Sequence, residues 1–153
     1  MEGLNVAAVL DRTIVVDERI EGRDIECAVL GNRGHVEASC VGEIFSAGEF
    51  YDYDAKYNNA ESKTVVPAEI SPEKQDEIRN MDVKVFNAVD GSGLARVDFF
   101  FENENEKVIF NQLNTLPGLT HLSKYSMLWA ACGKSTAELL DNLIELALER
   151  FSL

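Results

Sequence analysis

The sequence predicts one α+β domain, an interpretation that depends on three observations. Short apolar or β-branched runs at 13–16 and 25–30 come first, two alternating strands lie at 94–101 and 107–114, and helical patterns separate and follow them. Strands and helices in this order are typical of an α+β fold with a mostly antiparallel sheet and flanking helices. The length of 153 residues fits one domain with a hydrophobic core.

The composition fits a globular protein and argues against two classes of partner. The chain is 46% hydrophobic and carries 27 acidic against 14 basic residues, a formal net charge of −13. We expect no nucleic acid and no membrane as a partner, because both are negatively charged surfaces that repel an acidic chain. The apolar N-terminal run is too short for a membrane span, and no basic residue precedes Arg12. We therefore expect no signal peptide and a cytoplasmic location.

The three cysteines, Cys27, Cys40 and Cys132, are scattered and odd in number. They form neither a CxxC pair nor a cluster with histidine, so metal binding or a catalytic thiol is much less favoured than ordinary packing. We expect ordinary buried thiols in a reducing compartment.

The first half of the chain predicts two strands, a hairpin and a long loop. Residues 13–16 are β-branched and predict a buried strand, and residues 25–30 predict another. Turn-forming residues at 31–34, followed by alternation at 36–40, predict a hairpin. Residues 46–70 look irregular, and their aromatic side chains favour a functional loop.

The helices of the second half have clear start and stop signals. Ser71 and Pro72 are typical of an N-cap and a first helical position, and the helix that they start is expected to end at the turn 90–93. A second helix is expected over 125–131, and a capping box at 135–138 starts a terminal helix. The apolar stripes predicted to face the core are Ile78, Met81, Val85 and Val89 in the first of these helices and Leu139, Leu143 and Leu146 in the last.

The strands at 94–101 and 107–114 carry the strongest candidate site. Alternation with period 2 places apolar residues on one face of a strand and polar residues on the other. The predicted core face of the first strand holds Ala95, Val97, Phe99 and Phe101. Strict alternation puts Val108, Phe110, Gln112 and Asn114 on one face of the second strand. If that face joins the face of Arg96 and Asp98, a guanidinium, a carboxylate and two amides converge at the strand ends.

Such a cluster is suited to a divalent cation and an anionic group. Mg²⁺ prefers oxygen ligands and often bridges one or two side chains to phosphate oxygens. A neighbouring arginine can stabilise the charge that develops on a transferred phosphoryl group or an oxyanion. The spacing alone favours a more ordinary explanation, which is the exposed polar face of an antiparallel hairpin.

Five separated segments occur in a fixed order along the chain. They are 21–32 (EGRDIECAVLGN), 50–57 (FYDYDAKY), 92–98 (SGLARVD), 111–120 (NQLNTLPGLT) and 123–129 (SKYSMLW). Together they resemble the hinge-and-hairpin segment, the mobile active-site loop and the C-terminal signature of the D-alanine–D-alanine ligases, which are ATP-grasp enzymes of cell-wall precursor synthesis. The resemblance begins at about Thr13 and implies the C-terminal subdomain of an ATP-grasp fold.

The resemblance implies roles for individual residues. Arg96 matches an arginine at the reacting centre, the N–H of Gly118 helps to hold the intermediate, and Tyr57 closes the D-alanine site. Ser123 matches a serine that binds the carboxylate of the second D-alanine. The implied Mg²⁺ or Mn²⁺ ligands are Asp98, Gln112 and Asn114. The implied ATP-binding residues are Asp17, Glu18, Ile20, Asp24, Phe50 and Lys56.

Some of these residues also have ordinary structural explanations, and some depart from the family. Taken singly, Ser123 fits a helix N-cap and Lys56 fits a solvated loop lysine, whereas the ordered set favours function. Gln112 stands where the family has a glutamate. An amide offers one neutral carbonyl oxygen, so we predict weakened or single-metal binding. Asp17 and Asp24 are one methylene shorter than the glutamates that are usual at their positions.

The function implied is the ATP- and Mg²⁺-dependent ligation of two D-alanines to D-alanyl-D-alanine for peptidoglycan synthesis. Residues 1–153 would form a partial ATP-grasp domain, because the family's N-terminal domain and the first half of its ATP-grasp unit have no counterpart. The residues before Thr13 do not resemble the family. We expect the isolated chain to be inactive and to need a separate N-terminal segment; a homodimer is also implied by the family.

Two alternatives stay open from the sequence. A catalytically inactive remnant or binding module of the same fold is the first, and Gln112 favours it. The second is a ligase that takes D-serine or D-lactate as its second substrate, although Tyr57 is more typical of the branch that forms an amide.

Overall fold

The computed structural model describes residues 2–45 and 63–152, which contain four helices and six strands. The helices are α1 (Glu2–Leu10), α2 (Pro72–Ala88), α3 (Lys124–Ala131) and α4 (Thr136–Phe151). The strands are β1 (Arg23–Asn32), β2 (His35–Ala38), β3 (Gly42–Phe45), β4 (Lys63–Val65), β5 (Gly93–Glu102) and β6 (Lys107–Asn114). None of the helices in this part of the chain is both long and apolar enough to cross a bilayer.

The strands form one antiparallel sheet in the order β4-β3-β1-β5-β6, which confirms the predicted fold class. β1 and β5 pair along their whole length at the centre of the sheet. On its other edge β1 pairs with β3 through its first half and with β2 through its second half. The predicted hairpin after residue 30 and the predicted strand pair at 94–114 are both confirmed.

Helices cover both faces of the sheet. On one face, the core face of β5 packs against Ile78 and Phe86 of α2. On the other face, Tyr125 and Trp129 of α3 and Leu139 of α4 pack on β1. The predicted core residues of β5, all buried, are Ala95, Val97, Phe99 and Phe101. The predictions of core positions in β5 and of the apolar stripe of α4 are therefore confirmed.

The predicted helix ends are present because they depend on local hydrogen bonds. The backbone N–H of Lys74 donates to the side chain of Ser71, the N-cap of α2. Ser135 and Glu138 form the predicted capping box at the start of α4. Val89 lies beyond the end of α2 and is 54% exposed, so its assignment to the buried stripe is wrong.

The strand predicted at 13–16 is not formed. Residues 11–22 have no strand pairing within the described chain, and the side chains of Val15 and Val16 are 78% and 75% exposed. A β-branched run becomes a strand only when a neighbouring strand satisfies its backbone, and none of the described strands pairs with this run. The irregular segment predicted at 46–70 contains β4, and residues 46–62 lie outside the described residues.

A β-bulge changes which side chains of β6 face the site. The register shifts between Asp98 and Phe99 of β5, so that β6 carries one extra residue, Asn111. Strict alternation is therefore wrong for two of the four residues that it placed together. Val108 packs against the core on the α2 side, and the ring of Phe110 lies 6.4 Å from that of Phe99.

The cysteines differ from the expectation in part. Cys27 is a buried free thiol, as predicted. Cys40 and Cys132 are joined by a disulfide, with Cα atoms 5.8 Å apart, so the prediction of separate thiols is wrong for this pair. The two residues are 92 positions apart in the chain. They meet only because the end of α3 lies against the connection between β2 and β3, which no sequence spacing indicates.

Candidate functional site

Polar side chains form two rows across the sheet, on the face opposite to α2. In the first row Glu26 of β1, Asp98 of β5 and Gln112 of β6 are direct cross-strand neighbours. In the next row Arg96 of β5 lies opposite Asn114 of β6. The predicted convergence of a guanidinium, a carboxylate and two amides is therefore confirmed. The bulge in β6 produces it, because without the extra residue the two amides would point towards the core.

The carboxylate of Asp98 is the centre of this cluster. Arg96 donates to both of its oxygens, from Nε to Oδ1 at 2.7 Å and from an Nη atom to Oδ2 at 2.9 Å. The side-chain amide of Gln112 donates to Oδ2 at 2.6 Å. A carboxylate that accepts these charge-assisted hydrogen bonds is held in one orientation. An ionised glutamate at position 112 has no hydrogen to donate. The bond from Gln112 to Asp98 in the absence of a cation therefore depends on the amide.

Glu26 is a member of the site that the sequence did not identify. Its side chain is only 5% exposed, and Oε2 lies 3.3 Å from Nε of Arg96. Nε of Arg96 is thus close to two carboxylates, those of Glu26 and Asp98. Alternation along β1 places Asp24 and Glu26 on one face of the strand. That pattern identifies Glu26 as a site residue only when the pairing of β1 with β5 is known.

The turn after β6 brings Gly118 and Ser123 together. The backbone N–H and the hydroxyl of Thr120 both contact Oγ of Ser123, at 3.1 and 2.8 Å. A Cβ atom at position 118 would approach the same Oγ to 2.8 Å, so only glycine fits there without displacing it. Ser123 is the N-cap residue of α3, but its side chain makes no capping hydrogen bond. The simple capping explanation therefore does not account for this hydroxyl.

These residues line one cavity of about 810 Å³. Five of the predicted site residues contribute to its wall: Arg96, Gln112, Asn114, Gly118 and Ser123. Lys124 and Tyr125, which were not among the predicted residues, also line it. A second cavity, of about 590 Å³, lies between the β1–β2 hairpin and α4 and contains none of the predicted site residues.

The residues predicted to bind ATP are less closely grouped. Asp24 is half-buried and lies on the same face of β1 as Glu26. Asp17 and Glu18 are exposed and Ile20 is half-buried, in the segment that forms no strand. The predicted site residues Phe50, Lys56 and Tyr57 lie outside the described residues.

The oxygen atoms of this site fit a divalent cation in their chemistry. Within the ranges that the structure describes, no group of three or more His, Cys, Asp or Glu side chains could hold a metal ion. The predicted set is of another kind, one carboxylate from Asp98 and the amide oxygens of Gln112 and Asn114, and such neutral and charged oxygens are ligands that Mg²⁺ accepts. Oδ1 of Asn114 here accepts from the N–H of Leu116 at 3.1 Å.

Comparison with known proteins agrees with this geometry. A family model described as "D-ala D-ala ligase C-terminus" matches residues 2–145. The D-alanine–D-alanine ligase of Acetivibrio thermocellus is 51% identical over 151 residues, which are 99% of this chain and 40% of that protein. The match begins at residue 2, so the expectation that the residues before Thr13 fall outside the resemblance is wrong.

Two solved structures show the same fold. The D-alanine–D-alanine ligase of Coxiella burnetii superposes with a TM-score of 0.74 at 40% identity, over 88% of this chain and 34% of that one. The ligase of Bacillus anthracis complexed with ATP gives a TM-score of 0.69 at 28% identity, over 87% of this chain and 42% of that one. The chain spans about 40% of the length of the curated relatives it matches. By fold and sequence, this chain belongs to the D-alanine–D-alanine ligase C-terminal family.

Proposed function

We propose that this chain is the C-terminal ATP-grasp part of a ligase that joins two D-alanines to D-alanyl-D-alanine, with ATP and Mg²⁺ or Mn²⁺, for peptidoglycan precursor synthesis. The single observation that carries the proposal is the pair of polar rows on β5 and β6. There one carboxylate, one guanidinium and two amides meet beside a glycine turn and a serine hydroxyl. A merely solvated hairpin face would not need a half-buried, bidentate arginine.

Each residue of the cluster has a distinct task in this proposal. Asp98, Asn114 and the carbonyl of Gln112 would hold the cation, which when bound neutralises charge on the ATP phosphates. Arg96 stabilises negative charge at the reacting carboxyl group, and the backbone N–H of Gly118 supports the same charge. Ser123 donates its hydroxyl to the carboxylate of the second D-alanine.

The nucleotide would be held by a second group of residues. Asp17, Glu18 and Ile20 would contact the adenine, and Asp24 the ribose. Phe50 and Lys56 would cover the ATP, with Lys56 on the phosphates, and Tyr57 would close the D-alanine site. These roles follow from the family resemblance.

The complete reaction needs more than the 153 residues of this chain. The relatives are more than twice as long, and both amino acids and the nucleotide must be held together for the ligation. We therefore propose an N-terminal ligase segment as the partner, a homodimer as the assembly, and the cytoplasm, where ATP is available, as the location.

Release of phosphate from ATP in the presence of D-alanine tests the proposal. The chain is mixed with the segment of the Acetivibrio thermocellus ligase that lies outside the match. We expect D-alanine-dependent phosphate release from the mixture and none from either part alone. Arg96→Lys should abolish it, whereas Arg79→Lys, on the exposed side of α2, should not. A mixture that is folded and associated but releases no phosphate would contradict the proposal.

A non-catalytic binding module is the second candidate, and the hydrogen bond from Gln112 to Asp98 favours it. That bond gives the site a stable network without a cation. The module would bind ATP with Mn²⁺ in the reconstituted mixture without D-alanine-dependent turnover, so binding and phosphate release measured on the same sample distinguish the two candidates.

A further inference from the structure

Arg96 is shared between two carboxylates in a nearly dry environment. Its Nε atom lies 3.3 Å from Oε2 of Glu26 and 2.7 Å from Oδ1 of Asp98. The three side chains are 16%, 5% and 11% exposed, for Arg96, Glu26 and Asp98 respectively. Interactions between charges so little exposed to water are only weakly screened, so the pairing of each group depends on the other two.

Binding of a cation to Asp98 would disturb this balance. The oxygens that Arg96 now holds would become ligands, and a positively charged guanidinium would be left beside a divalent cation. A second carboxylate beside Arg96 offsets that repulsion and keeps the guanidinium in place. Glu26 is in that position, because its Oε2 lies 3.3 Å from Nε of Arg96 and it is the cross-strand neighbour of Asp98 on β1.

The neutral residue at position 112 makes this second carboxylate more important. Gln112 is the cross-strand neighbour of Asp98 on the opposite side, on β6. The family pattern has a glutamate at that position, so one negative charge is missing from β6. The row across the sheet nevertheless contains two carboxylates, since Glu26 supplies the second one from β1.

We propose that Glu26 is a positioning residue, which holds Arg96 while Asp98 binds a divalent cation and supplies the negative charge that Gln112 lacks. This inference rests on the cation site of the proposed function. It assigns a role to a residue of β1, in a strand where the family resemblance gave only Asp24 a part.

Binding of Mn²⁺ to the whole 153-residue chain, measured by electron paramagnetic resonance of the free ion, tests the assignment. We expect Glu26→Gln to weaken Mn²⁺ binding at least fivefold. The double variant Glu26→Gln/Gln112→Glu moves the carboxylate from β1 to β6 and should return the affinity to within twofold of the parent chain. Because Gln112→Glu is expected to raise the affinity by itself, the recovery shows that a carboxylate on β6 replaces the lost charge, and a matched control excludes a purely structural role of Glu26.

Glu43→Gln is the matched control. Glu43 is 2% exposed and pairs with Arg23. Its loss should destabilise the sheet to a similar degree, yet it should leave Mn²⁺ affinity within twofold of the parent. Far-UV circular dichroism reports whether each variant is folded. Should Glu26→Gln fail to fold, Glu26→Asp carries the same test, with an expected loss of at least twofold that Gln112→Glu recovers.

The outcomes separate this inference from the proposed function. A parent chain that does not bind Mn²⁺ would overturn the cation site and the inference together. A parent chain that binds Mn²⁺ with an affinity that Glu26→Gln leaves unchanged would overturn the inference alone. So would a loss that Gln112→Glu does not recover, or an equal loss in Glu43→Gln.

Discussion

A buried carboxylate gives the stability of this protein a pH dependence of its own. Asp82 of α2 is fully buried against the sheet, and burial raises its pKa to about 7. The Cys27 thiol lowers the pKa by a smaller amount, and the charge of Asp98 raises it. The same carboxyl group titrates near pH 4 when unfolded. Between these two pKa values the folded state binds more protons, so stability falls as the pH rises towards and through 7.

Asp82→Asn should remove much of this dependence. The parent chain should lose up to about 3 kcal/mol of unfolding free energy between pH 5 and pH 8 through this group. The variant should lose much less and should be more stable than the parent at pH 8. Urea unfolding at the two pH values measures the difference. Asp76→Asn, an exposed change on the same helix, should keep the parent's slope. An equal slope in Asp82→Asn and the parent would contradict the prediction.

The side chain at position 112 should set the strength of the proposed cation site. Gln112→Glu replaces a donor to Asp98 with a second carboxylate, so that the two acids repel each other unless a cation lies between them. We expect Mn²⁺ affinity to increase by about tenfold or more, since an added negative charge a few ångströms from a divalent ion contributes more than 1.4 kcal/mol. We also expect a lower melting temperature without metal. Titration calorimetry and thermal unfolding measure both; unchanged Mn²⁺ affinity would contradict the prediction.

Single residues could be identified where a pattern or a motif marked them. Arg96 and Asp98 stand on the polar face of a clearly alternating strand, and the structure places them in one cluster as predicted. Glu26 could not be identified, because its position beside Asp98 depends on the pairing of β1 with β5. The polar contacts of Ser123 with Thr120 depend on the path of a turn that the sequence indicates only in outline.

At the scale of the elements, the bulge in β6 determines the site. The core residue Val108 and the site residue Gln112 are an even number of positions apart, yet they face opposite sides of the sheet because Asn111 is inserted between the paired positions. A change in register by one residue moves every following side chain to the other face. The contact between Gln112 and Asp98 therefore depends on the extra residue in the backbone of β6, whatever side chain that residue carries.

Deletion of Asn111 tests this dependence. Without the extra residue, either the amides turn to the core or the apolar residues turn to solvent, and we expect a loss of at least about 3 kcal/mol in unfolding free energy, or no folding. Asn111→Ala keeps the backbone length and should cost less than about 1 kcal/mol. Urea unfolding of the two variants compares them; a deletion as stable as the substitution would show that the bulge is dispensable.

The elements differ in how well a sequence predicts them, for physical reasons. The helix starts at Ser71 and Ser135 were predicted correctly because a capping hydrogen bond forms within one turn. The strand at 13–16 was predicted wrongly because a strand needs a partner from elsewhere. The bulge and the Cys40–Cys132 link are likewise products of distant contacts, which composition and periodicity do not encode.

At the scale of the whole molecule, apolar side chains at the N-terminal end are left uncovered. Val9 and Leu10 of α1 are each 85% exposed, and Val15 and Val16 follow them on an extended segment without a strand partner in the described chain. Large exposed apolar surfaces are often interaction sites, so we propose that this segment contacts a partner. We propose the N-terminal ligase segment of the proposed function as its occupant.

Hydrogen exchange of the backbone amides tests this occupant. In the chain alone, amides of residues 11–22 should exchange rapidly, because no strand hydrogen bonds protect them. Addition of the N-terminal segment of the Acetivibrio thermocellus ligase should slow their exchange at least tenfold, while amides of β5 change little. Val15→Asp should prevent the protection, and Val89→Asp, at an exposed position beyond α2, should not. Protection that Val15→Asp leaves intact would contradict the prediction.

The centre of the sheet also determines how the chain reaches its fold. Every pair in the β1–β5 ladder joins residues more than 60 positions apart, whereas β1–β2 and β5–β6 are hairpins closed by short turns. Local hairpins form in microseconds. Pairing of two distant segments is slower, because closing the long loop between them costs conformational entropy. We expect the two hairpins to form early and their association to limit the folding rate. The row of Glu26, Asp98 and Gln112 crosses the same β1–β5 ladder, so we expect the candidate site to be assembled only in that last step.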